Sequence, residues 1–300
     1  MTDAEENEKT ILILGGSGFV GSWIAKALYY MYDIKLTYNN NEDAIDYMPE
    51  FSWYKCNLNS PNTIVNVIRK VKPEYVINAV DITDLGISND VIKGEKVNVG
   101  SNKTILKYSS ILNYFPILIS TDEVFDGTNG PFNENDLQKP ISIYGKQKFE
   151  AEKLYLPFID DGKASIIRAS VLFGQGPSFI TKNFNIYDRI RKESLEGKDI
   201  FIRTNYYHTY THVINLAFVL NQIMDMDPIS GIFHVPGTFL SESEFVQKLS
   251  ELPNMFPFFT KKITSENDIK LGLRSTETEK KLKFSYLDFD QGLKNIDLFN

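Results

Sequence analysis

Three hundred residues are enough for one large domain or two closely joined ones. Hydrophobic residues make up 42% and charged residues 24%, an ordinary globular balance, and the formal net charge of -7 argues against a nucleic-acid partner held by a global positive field. No apolar run reaches bilayer-spanning length, the acidic start MTDAEENEK resembles neither a signal nor a transit peptide, and the single cysteine, Cys56, permits no intrachain disulfide and suits a reducing cytoplasm.

Residues 1–9 read as a disordered tail. TILIL (10–14) is a short β-branched apolar run that stops at GGSGFVG and passes into SWIAKALYYMY, which has helical spacing. DIKLTY (33–38) and FSWYKCN (51–57) read as a second and third strand. SPNTIVNVIRKV (60–71) is a helix with Ser60 at the N-cap and Pro61 at the first helical position. EYVINAV (74–80) is a fourth strand, 90–112 is helical, and YFPILIST (114–121) is the next strand. Helix 142–156 and strand ASIIRAS (164–170) follow. Such alternation implies a parallel sheet with helices on both faces. Beyond Gly174 the alternation loosens into a helix over 183–197, a small strand DIFIR (199–203), an amphipathic helix over 212–225, GIFHV (231–235) as a strand returning to the main sheet, and a helix over 241–252.

The fold expected is α/β, a Rossmann-type doubly wound parallel sheet with a smaller, mainly C-terminal α/β substrate-binding region. Residues 10–170 form the dinucleotide-binding domain, with 208–236 returning to it. Residues 171–207 and 237–300 form the substrate-binding region.

Gly15, Gly18 and Gly21 stand three apart directly after a strand and before a helix. Glycines there allow a tight turn and let backbone N–H groups, including those of Phe19 and Val20, approach a pyrophosphate at the helix N-terminus. Tyr38 and Asn39 occupy the end of the second strand, where an acid would chelate ribose hydroxyls. That weighs against strict NAD preference, yet no arginine lies nearby for a 2′-phosphate, so NADP(H) and NAD(H) both remain. Asn57 and Leu58, at and just past the end of the third strand, would border the same cofactor.

Of the 16 tyrosines, Tyr144 alone is followed by lysine four residues on, at Lys148. Both side chains then share one helix face, and a neighbouring ammonium is expected to lower the phenol pKa toward neutrality. With Thr121 at the end of the preceding strand, these features resemble the extended short-chain dehydrogenase/reductases and their Ser/Thr–Tyr–Lys set. Asn98 resembles the family's helix asparagine, which helps hold a proton-relay water, and INAV (77–80) resembles the N-A-A that follows its fourth strand, which implies that Ala79 and Val80 border the cofactor. STDEVFDG, PFNENDLQKPISIYGKQKFEAEK and IIRASVLFG narrow the resemblance to the dTDP-4-dehydrorhamnose reductase branch, and GIFHVPG and LRSTETEKKLKF extend it toward the C-terminus.

That resemblance implies hydride transfer from a nicotinamide to C4 of a nucleotide-linked 4-keto-6-deoxy sugar, as in dTDP-rhamnose biosynthesis. Thr121, Tyr144, Lys148 and Asn98 would serve catalysis, and Asp122, Glu123, Arg168 and His208 the substrate. Glu123 departs from the branch, since S-T-D-E-V is the pattern of sugar-nucleotide 4,6-dehydratases. The alternatives are therefore such a dehydratase or epimerase, or a non-catalytic NADP-binding regulatory subunit resembling the β subunit of methionine adenosyltransferase. His208 and His212, four apart in HTYTH, are expected at the start of a helical stretch, with no third ligand at metal-like spacing, so no metal is assigned. A homodimer is the expected assembly, with no membrane or nucleic-acid partner.

Overall fold

The computed structural model describes residues 8–83, 88–181, 185–225, 227–252, 255, 259–264, 266–283 and 285–296. Most of the expected N-terminal tail thus lies outside the described residues. Lys9, at its end, donates to the Met224 carbonyl at 2.7 Å.

The first half runs β1 (Thr10–Leu14), α1 (Phe19–Leu28), β2 (Asp33–Tyr38), α2 (Asp43–Tyr47), β3 (Ser52–Lys55), α3 (Pro61–Val71), β4 (Tyr75–Asn78), α4 (Ser88–Gly94), α5 (Ser101–Leu112), β5 (Phe115–Thr121), α6 (Ile143–Asp160) and β6 (Ser165–Ala169). The second half adds β7 (Val171–Phe173), α7 (Ile186–Leu195), β8 (Ile200–Arg203), β9 (Tyr206–His212), α8 (Ile214–Met224), β10 (Gly231–His234), β11 (Thr238–Ser241), α9 (Glu242–Ser250), β12 (Thr260–Ile263), β13 (Ile269–Lys270), α10 (Thr276–Lys281) and α11 (Phe289–Lys294).

Seven parallel strands form the main sheet in the order β10-β6-β5-β4-β1-β2-β3, a Rossmann-type doubly wound arrangement. Alternation along β1 shows why both faces are covered. Ile11 and Ile13 enter the core shared with α1 and α8, whereas Leu12 and Leu14 enter the core shared with α3 and α5. All four are fully buried, each contributing about 1.5–3 kcal/mol by leaving water. Strand order reverses between β1 and β4, so a crevice opens at their carboxyl ends.

A second, mixed sheet runs β11-β9-β13, with β7 parallel to β9, and β8 pairs with β12 apart from it. Tyr210 of β9 stacks on Phe245 of α9 with ring centroids 4.2 Å apart, joining this sheet to its own apolar core. Residues 208–236 therefore divide. α8 and β10 pack on the main sheet, while 206–212 form β9 of the second sheet. The expected helical start at His208 gives way to strand because YYHTYTH is rich in aromatic and β-branched residues that suit a pleated surface. Ser60 does occupy the N-cap of α3, but its hydroxyl makes no capping bond; Pro61 starts the helix. Among the described residues, no helix is long and apolar enough to cross a membrane.

Candidate active site

The glycine turn follows β1 at the crevice. Gly15 takes φ +88°, a left-handed conformation that favours glycine, and a Cβ there would lie 2.6 Å from Val80 Cγ2. At Gly21 a Cβ would sit 2.2 Å from the Gly15 carbonyl oxygen, so only glycine lets α1 approach the turn so closely. Gly15 N donates to Thr37 Oγ1 at 3.0 Å, which ties the turn to β2.

A cleft of about 290 Å³ opens here, and Gly15, Gly18, Asn39, Asn57, Leu58, Ala79 and Val80 all line it. It continues through Gly18, Ala79 and Asp81 into a wider space of about 880 Å³ that Phe19 and Val20 border. Of the cofactor residues expected from the turn and the strand ends, all but Gly21 thus line these adjoining spaces; Gly21 is buried where α1 meets the turn. At its β2 end stands no acid; Lys55, bonded to Glu42 at 2.9 Å, lies 5.8 Å from the centre of the Tyr38 ring.

Tyr144 and Lys148 do share one face of α6, whose N-cap is Ser142. Both reach the same carboxylate. Tyr144 Oη donates to Asp81 Oδ2 at 2.9 Å, and Lys148 Nζ donates to Asp81 Oδ1 at 2.7 Å and to the Ile119 carbonyl at 2.5 Å. The expected lowering of the Tyr144 pKa is overturned. Burial, and after it the charge and hydrogen bond of Asp81, hold the phenol well above its ordinary value. Sequence reasoning did not single out Asp81. The available signal was an acid directly after INAV, whose first two residues end the buried β4.

Thr121 ends β5 with its hydroxyl 3.3 Å from Asp122 Oδ1 and accepting from Glu123 N at 3.2 Å. Asn98 lies in a π-helical turn (Glu95–Gly100) between α4 and α5, a distortion frequent at functional sites. Its amide donates to the Ile82 carbonyl and to Gln147 Oε1, and accepts from Ile82 N, each at 2.9 Å. Asn98 therefore clamps the chain just after Asp81 against α6.

The four expected substrate residues separate. Asp122, 3% exposed, accepts through Oδ2 from Ser170 Oγ and from Gly272 N at 3.0 Å, and meets His208 Nδ1 at 2.8 Å. Burial favours its neutral form, yet His208 and these donors outweigh that and lower its pKa. Asp122 and His208 are thus corrected to a buried tie between β5 and the second sheet. Arg168 is also corrected. It is 1% exposed, bonds Glu152 through Nε and Nη2 (Nη2 to Oε2 at 2.7 Å), and turns Nη1 to the Glu134 carbonyl at 3.1 Å. Glu123 remains half-buried beside the Tyr144 helix, accepting from Ser142 Oγ at 2.5 Å, and burial raises its pKa.

The two histidines of HTYTH diverge in role: His212 packs edge-on against Trp23 with centroids 5.0 Å apart, inside the core.

The model of the RmlD substrate binding domain family matches residues 9–267. The chain is 28% identical over 240 residues to the methionine adenosyltransferase 2 subunit beta of Bos taurus, covering 76% of this chain and 67% of that protein. A hypothetical dTDP-4-dehydrorhamnose reductase from Sulfolobus tokodaii superposes with a TM-score of 0.77 at 26% identity, over 94% of this chain and 98% of the other. The fold also matches dTDP-4-dehydrorhamnose reductase from Bacillus anthracis, solved in complex with NADP, with a TM-score of 0.80 at 18% identity over 98% and 100% of the two chains. With that model matching residues 9–267 and a glycine turn at the sheet reversal, this chain belongs to the RmlD substrate binding domain family.

Proposed function

We propose that the protein is an NAD(P)H-dependent reductase of a nucleotide-linked 4-keto-6-deoxy sugar, of the dTDP-4-dehydrorhamnose reductase type. One observation carries the reading: the Tyr144 hydroxyl and the Lys148 ammonium meet at the edge of the cleft that begins at Gly15, through a carboxylate lining that cleft. The residues present fit a dinucleotide. Gly15, Gly18, Phe19 and Val20 would hold the pyrophosphate, Asn39, Asn57 and Leu58 the adenosine side, and Ala79 and Val80 the floor. Tyr144 and Lys148 would stand at the nicotinamide side.

When bound, the reduced nicotinamide supplies a hydride to the C4 carbonyl carbon of the sugar. Tyr144 gives its proton to the C4 oxygen as negative charge develops there; its raised pKa keeps that proton in place at neutral pH. Thr121 Oγ1 turns from its long contact with Asp122 and donates to the same oxygen. Lys148, 1% exposed and anchored on the Ile119 carbonyl, holds a fixed positive charge beneath the pair.

A second reading is a dinucleotide-binding regulatory subunit. The Bos taurus relative favours it, as does the engagement of both Tyr144 and Lys148 by Asp81. A dehydratase is less supported, because Asp122 is held internally. The test mixes the purified protein with dTDP-4-keto-6-deoxy-L-mannose and follows NADPH or NADH absorbance. Cofactor oxidation is expected. Cofactor binding without oxidation selects the regulatory reading, and growth of a 4-keto product from dTDP-glucose selects the dehydratase.

A further inference from the structure

Asp81 sits three residues beyond β4, on the cleft wall, and receives both a phenol and an ammonium. Tyr144 has one O–H to give, and it goes to Asp81. Lys148 has three N–H groups; one goes to Asp81 and one to the Ile119 carbonyl. A carboxylate only accepts, so it occupies the Tyr144 hydroxyl without offering a donor in return. An incoming ribose or carbonyl oxygen that needs the Tyr144 proton must therefore take the place of an Asp81 oxygen, whereas Lys148 keeps a third N–H to offer. The mobility is one-sided. The Asp81 side chain is 23% exposed on the cleft and can turn to water, whereas Lys148 is 1% exposed and fixed from below.

We propose that Asp81 is a positioning residue that competes with the nicotinamide half of a dinucleotide for the Tyr144 hydroxyl, and so sets cofactor affinity from the nicotinamide side. This rests on the dinucleotide reading given above. The competition lowers the fraction of molecules with the Tyr144 hydroxyl available, and apparent affinity falls by that fraction. It also keeps Tyr144 oriented until an acceptor arrives, since the displaced carboxylate leaves the hydroxyl free to donate elsewhere.

The test measures dissociation constants by calorimetry for NADP⁺, NAD⁺ and ADP, with wild type, Asp81→Ala and Asp81→Asn. ADP lacks the nicotinamide half and reports the adenosine side alone. Asp81→Asn keeps the side-chain shape and one acceptor for Lys148 while removing the charge, so it carries the test if Asp81→Ala does not fold. Both variants are expected to bind at least one dinucleotide about tenfold more tightly, with ADP unchanged. Unchanged or weaker dinucleotide binding, with ADP binding retained, overturns the competition and leaves the reductase reading standing. An equal gain for ADP also overturns it, because the effect would not lie on the nicotinamide side. Absence of dinucleotide binding in all three proteins overturns both readings.

Discussion

His208 Nδ1 lies 2.8 Å from Asp122 Oδ2, across 86 residues of chain, and this contact joins the mouth of β5 to the second sheet. Ser170 and Gly272 bond the same oxygen, so one carboxyl gathers the β6–β7 junction, β9 and the segment after β13. Thr121, proposed to donate to the C4 oxygen, is thereby adjacent to the residue that holds the two regions together.

Removing the charge at this tie is expected to destabilise the fold. Asp122→Ala should cost about 3–5 kcal/mol, because it leaves buried donors without their partner. The pKa of Asp122 is lowered in the fold, so its stabilisation is present above the unfolded value of about 3.9 and is lost as pH falls through the folded value. Denaturant unfolding of wild type and variant should therefore converge only in strong acid. A constant difference down to the lowest pH would contradict the assignment.

The core histidines act in a different window. Burial pushes His212 down to about 4; burial, then the Arg168 charge, pushes His234 down to about 3. Their neutral forms are favoured in the fold, so this stability is present above about 6.5 and declines as pH falls toward the folded values. For His212→Phe, thermal unfolding between pH 6.5 and 4 should show a shallower acid slope than wild type. An unaltered slope would argue against the burial effect.

Tyr144→Phe should reduce turnover by about 10²–10⁴-fold while dinucleotide binding changes little. Since the phenol pKa is raised, no loss of activity from Tyr144 ionisation is expected below pH 10. Steady-state rates across pH, with binding measured separately, check both statements.

Arg168→Leu should destabilise by about 3–5 kcal/mol, as Glu152 would keep a buried charge without its partner. The double variant Arg168→Leu with Glu152→Leu should recover part of that loss. A folded single variant with normal stability and a raised KM for the nucleotide sugar would restore Arg168 to the substrate.

Gly21→Ala places a methyl group 2.2 Å from the Gly15 carbonyl oxygen. The turn must open, and a cost of about 1–3 kcal/mol is expected, with weaker dinucleotide binding. Equal affinity for NADP⁺ in the two proteins would show that the close approach of α1 does not shape the cleft.

What the sequence determined by itself is the local part. Alternating apolar runs specified the strands of the main sheet, and glycines at 15, 18 and 21 specified the turn, because period and backbone freedom are properties of neighbouring residues. The spacing of Tyr144 and Lys148 specified a shared helix face for the same reason. What only the tertiary structure decided is where each charge ends. Asp81 meets Lys148 across 67 residues, Asp122 meets Gly272 across 150, and Arg168 finds Glu152 in the interior. Chain proximity carries no information about such pairings. They arise because a buried charge must find a partner, and which partner is within reach depends on how the sheets pack.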